Sequence, residues 1–137
     1  MFESVSGSNM MQLYAKMHHE SGLNPEMEQF IQQHEWGIKM IPAHDIPDYD
    51  HDVYYNDPFH RVIDFDEDRV RWWRARMRQG AQIPPIILGP DHSIIDGNHR
   101  AQAAKSMGQG IMAYVPMAHD EIVVESALSY IRKLAGL

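Results

Sequence analysis

Apolar positions recur along the chain with changing period, and the changes mark the elements. Met10, Leu13, Tyr14 and Met17 fall at helical spacing until Ser21-Gly22 interrupts them. Leu23-Asn24-Pro25 predicts a new helix start, with Asn24 as cap and Pro25 at the first helical position. Met27, Phe30 and Ile31 give that second helix its buried side. Asp64-Phe65-Asp66-Glu67 then reads as a capping box, with Asp64 as cap. In the helix that follows, Val70, Trp73 and Met77 share one face at 100° per residue and are expected in the core. Gly80 ends it.

Short apolar runs follow. Pro84-Pro85 leads into a strand over Ile86–Leu88, residues 89–92 turn, and 93–96 form the return strand. Residues 111–115 read as the last strand, stopped by Pro116. Asp120 caps a final helix with Val123, Ala127, Tyr130, Ile131 and Leu134 along one stripe. The sum is an α/β fold with a small mixed sheet and flanking helices. It divides into an N-terminal helical extension (1–36), a core (37–117) and a C-terminal helix (118–137) within one compact domain.

Charge changes the picture in two places. Residues 42–68 hold nine acidic side chains and one basic one, with prolines at 42, 47 and 58, and are expected to form a loop. His44, Asp45, Asp50, His51, Asp52 and His60 are ligand types there, but they lack a fixed spacing. The next helix carries five arginines in ten residues. Arg69 and Arg76 fall together at the edge of the apolar face with Trp72 beside them, while Arg71, Arg74 and Arg78 point away. The formal net charge of −7 argues against a protein that coats nucleic acid by charge alone. With no cysteine, thiolate chemistry and disulfides are excluded. No apolar run reaches membrane-spanning length and no secretory signal is visible, so the expected location is cytoplasmic.

The chemistry concentrates at Asp96-Gly97-Asn98-His99-Arg100. An apolar strand runs into a glycine turn and then a small-residue helix, whose first amides and dipole favour an anion. His99 and Arg100 add donors, and Asp96 adds a carboxylate that could serve as general base or Mg2+ ligand. This is the chemistry of a phosphate site through Gly97, Asn98, His99 and Arg100, with Asp96 and His99 as the catalytic candidates; on the residues alone, a structural turn in which Asp96 and His99 serve only as caps is the equal alternative.

These blocks resemble the ParB/sulfiredoxin superfamily. The resemblance lies in Ile83-Pro84-Pro85-Ile86, the Asp96–Arg100 motif, the alanine-rich helix ending at Gly108, and the strand at 111–115. Upstream, 38–46 resembles the family's first strand and turn, and Asp66–Val70 resembles the start of its nucleotide-contacting helix. The resemblance implies a nucleotide-binding protein of this fold. ATP or another nucleoside triphosphate with Mg2+ would be its cofactor, and NTP hydrolysis or kinase-like phosphoryl transfer its chemistry. Arg69 and Arg76 would then lie over the nucleotide and Trp72 would stack on its base. Asn98 stands where sulfiredoxins carry their catalytic cysteine, so sulfiredoxin chemistry is excluded. ParB proteins carry Glu-Arg where this chain has Asn-His, so a cytidine preference does not transfer. The motif sits nearest the Asp-Gly-X-His-Arg branches, which include a free-serine kinase and nucleotide-hydrolysing defence proteins. Two alternatives stand beside this. One is a non-catalytic adaptor contacting DNA or protein, for which Arg71, Arg74 and Arg78 are the candidate contact, although pairing with the chain's own acidic loop is the favoured reading of that stripe; the N-terminal helices could form a clamp, a lid or a dimer surface. The other is a ParB-like nuclease, although no helix-turn-helix follows the core.

Overall fold

The computed structural model describes residues 4–17, 24–48, 59, 66–90 and 93–117. Among these it shows a small α/β fold: helices α1 (Gly7–Met17), α2 (Pro25–Gln33), α3 (Glu67–Arg78) and α4 (Asn98–Ser106), with strands β1 (Glu35–Ile41), β2 (Ile86–Leu88), β3 (Ile94–Asp96) and β4 (Ile111–Met117). The strands form one mixed sheet in the order β1-β4-β2-β3. β2 pairs antiparallel with β3 and parallel with β4, the latter through Ile86 opposite Ala113 and Ile87 opposite Tyr114.

The chain divides into two compact units, 1–38 with 116–137, and 39–115. In the first, Asn24 caps α2 by accepting from the N–H groups of Glu26 and Met27 at 3.0 and 3.2 Å, with Pro25 in the first turn. Met10, Tyr14, Met27, Ile31 and Trp36 are buried. Trp36 is wholly enclosed because its indole N–H reaches the Ile31 carbonyl at 3.0 Å, which satisfies the ring's polar atom. Val5 bridges Trp36 on the backbone.

In the second unit the core gathers Ile46, Ile86, Leu88, Ile94, Ala101, Ala104, Ile111, Ala113 and Val115. The alanines of α4 present little bulk, so the helix lies close on the sheet. Val70 of α3 is buried, and Met77 packs against the core cluster. Gly80, at φ +75°, ends α3. Its N–H reaches the Met77 carbonyl at 3.1 Å while that of Ala81 reaches Arg76 at 3.1 Å, the paired bonds of a Schellman ending.

Several boundaries differ from expectation. The cap of α3 is Asp66, whose carboxylate accepts from the Asp68 N–H at 2.9 Å; Asp64 lies outside the described residues. Pro116 does not stop β4. The β2 ladder ends opposite Tyr114, so the proline's missing N–H costs no bond on that side. β1 starts at Glu35, earlier than the expected strand. The expected loop contains a 3-10 turn, Ala43–Asp45, which delivers Ile46 into the core. The helix of the motif starts at Asn98, so His99 and Arg100 are helical residues. The expected C-terminal helix and residues 49–58 lie outside the described residues.

Candidate functional site

β3 ends on Asp96, and the chain reverses through Gly97 at φ +100° and ψ 26° to enter α4. Only glycine sits there without strain, and the space is also full. A Cβ at Gly97 would lie 2.6 Å from Ile86 Cγ2 and 2.8 Å from Arg100 Cζ. Glycine therefore admits the chain's own side chains at this point.

Arg100 turns inward. Its Nε donates to the Pro84 carbonyl at 3.0 Å, and its Nη2 donates to the Pro85 carbonyl at 2.7 Å and to Asp96 Oδ2 at 3.3 Å. Both ends of this ion pair are 8% exposed. The two prolines precede β2 in irregular chain, and the planar guanidinium fork reaches both of their carbonyls at once. The expected outward grip of Arg100 on phosphate is thus replaced by a latch that holds the Pro-Pro segment to the start of α4. Asp96 is correspondingly given to Arg100. Among the described residues no three His, Asp or Glu side chains gather as a metal site.

His99 ties α4 to α3. Its Nε2 accepts the Asp66 backbone N–H at 3.0 Å, so the neutral ring carries its proton on Nδ1. Eight residues further along α3, Arg74 Nη1 donates to Ser106 Oγ at 3.4 Å. The two helices therefore run parallel, start beside start. Arg74 was expected to face solvent. It is half-buried against α4 because it lies only about 40° from Val70 around the helix. Asn98, in the first turn of α4, is half-buried.

The remaining arginines of α3 are at the surface. Arg69, Trp72 and Arg76 line one exposed face, and Trp72 is 53% exposed. Arg71 pairs with Asp68, and Arg78 is exposed. A contact ladder joins this face to the turn. The Arg100 guanidinium lies 5.8 Å from the Trp73 ring, Trp73 meets Trp72 edge-on at 4.8 Å, and Arg76 lies over Trp72 at 5.1 Å. Trp73, expected in the core, is half-buried as the middle rung.

Two connections escaped the sequence reading. The Asp96–Arg100 spacing of four carried a signal for a helix-start pair. Nothing in the sequence marked His99 as the partner of Asp66. No protein-family model matches the chain, and neither a curated protein nor a solved structure does.

Proposed function

We propose that the chain is a nucleotide-binding protein of ParB/sulfiredoxin type. Its phosphates would lie at the first turn of α4, beside His99, and Arg69, Trp72 and Arg76 would receive the rest of the nucleotide. The observation that carries this reading is the ladder Arg100–Trp73–Trp72–Arg76. It fixes an exposed aromatic ring and a cation at a set position relative to the glycine turn. The start of α4 supplies amide dipoles for an anion, and a glycine cap brings no side chain to compete for them.

The donor set fits an anionic, planar ligand. It fits Mg2+ less well, because the carboxylate of the turn faces Arg100. Binding is therefore the proposed activity, with hydrolysis or phosphoryl transfer resting on whether Asp96 can be freed. An adaptor that uses the bound nucleotide as a signal is the form most consistent with a buried, paired Asp96. Calorimetry with ATP, GTP, CTP and ADP, with and without Mg2+, tests the reading. Binding that weakens on Trp72→Ala supports it. Failure of every nucleotide at millimolar concentration removes it.

A further inference from the structure

We propose that the Arg69–Trp72–Arg76 face of α3 binds single-stranded polynucleotide. This rests on the reading that the same face contacts a nucleotide, and extends it from a free nucleotide to a strand.

Charge is the first ground. The chain is formally −7, with 19 acidic residues against 12 basic ones. Arg69, Arg76 and Arg78 nevertheless have no carboxylate partner among the described residues; on α3 only Arg71 is so paired, with Asp68. A helix whose exposed guanidinium groups have no carboxylate partner among the described residues offers a surface complementary to an anionic partner.

Stacking is the second ground. Trp72 is 53% exposed, an uncommon place for the largest apolar side chain. Trp73 meets it at 4.8 Å with ring planes 83° apart, so the indole is buttressed from one side. The Arg76 guanidinium, 5.1 Å from the ring centroid, adds a second planar surface. Bases stack on both kinds of plane without regard to sequence.

Spacing separates a strand from a free nucleotide. Arg69 precedes Trp72 by one turn and Arg76 follows it by one turn, at rises of about 4.5 and 6 Å along the axis. Along the helix axis, the two arginines are therefore rooted on either side of Trp72, and their long side chains can reach a phosphate on each side of a stacked base. A free nucleotide carries its phosphates on one side of the base, whereas a strand carries a phosphodiester on each side.

The test is fluorescence anisotropy of the full chain with labelled 12-mers of oligodeoxyuridylate and oligouridylate, which differ only in the sugar. A blunt duplex of equal length and a polyglutamate peptide of equal charge serve as comparators. Binding of a single strand above both comparators is expected, and the tighter of the two strands names the sugar. Trp72→Ala should weaken strand binding roughly ten- to a hundredfold, with Trp72→Phe retaining most of it. Arg69→Gln with Arg76→Gln should flatten the slope of log affinity against log salt by about 1.4, two phosphate contacts of a single strand. Arg71→Gln with Arg78→Gln, on the other flank, should change the slope much less. Circular dichroism checks that each variant is folded, which the exposure of these side chains favours. Equal affinity for duplex or polyglutamate, or indifference to Trp72→Ala, overturns the proposal. If ATP binds and lengthening it to a strand gains nothing, this inference fails alone; if neither binds, the nucleotide reading fails with it.

Discussion

The backbone N–H of Asp66 donates to Nε2 of His99 across 3.0 Å, which fastens the cap of α3 to the first turn of α4. Two helix starts are thereby held side by side. Parallel dipoles placed this way repel, and the acidic Glu67 and Asp68 in the first turn of α3 offset part of that.

His99→Ala removes the acceptor and leaves the Asp66 N–H to water. The bond is solvent-exposed, so the expected loss is modest, about 0.5–1.5 kcal/mol in urea unfolding. His99→Gln can restore an acceptor and should recover part of the loss. Equal stability of wild type and both variants would mean the bond does not hold the helices together.

Gly97→Ala should be among the most damaging single substitutions in the turn. The new Cβ meets Ile86 and Arg100 inside 3 Å, and the residue must also hold φ +100°. Left-handed strain and overpacking together predict about 2–4 kcal/mol. Thermal unfolding checks it, and a shift in Tm of a degree or less would show that the turn can relax.

Arg100 tests the latch against the phosphate grip. Arg100→Met withdraws the guanidinium from the carbonyls of Pro84 and Pro85 and from the buried carboxylate of Asp96, for an expected cost of about 3–5 kcal/mol. Arg100→Lys keeps the charge but loses the fork, and should fall between the two. Where the lysine variant is folded, it should bind nucleotide as wild type does. A stable Arg100→Lys protein that has lost nucleotide affinity would return this guanidinium to the ligand.

Asp96→Asn distinguishes a structural carboxylate from a catalytic one. The ion pair with Arg100 predicts a loss of about 1–3 kcal/mol in stability with nucleotide affinity retained. A hundredfold fall in phosphate release at unchanged stability would instead make Asp96 a base.

The elements were legible where local rules decide them. Asn24-Pro25, Gly80 and the apolar runs at 86–88 and 94–96 act through their own backbone, and the structure places helix starts, ends and strands there. The directions of the site's side chains were less so. An arginine after a glycine turn can face out or in, and Arg100 faces in because acceptors wait 15 and 16 residues upstream. Arg74 falls to the solvent side with Arg71 and Arg78 in the angular reading, although a four-residue step leaves it only about 40° from Val70. A long side chain can lie half-buried on α4 and still carry its charge to Ser106. The glycine itself was found, but what fills the space beside it is set by Ile86 and Arg100, which no local rule names.

The latch also bears on the order in which the molecule assembles. Its two proline contacts close loops of 16 and 15 residues, whereas the His99 contact with Asp66 spans 33. Closing ten residues takes about 10–100 ns, and the entropic cost rises only slowly with length. The contacts that hold the β2–β3 segment to the start of α4 are therefore cheaper in chain entropy than the one that docks α3. The segment from Pro84 to Arg100 thus carries its own fastener, made of contacts close in sequence.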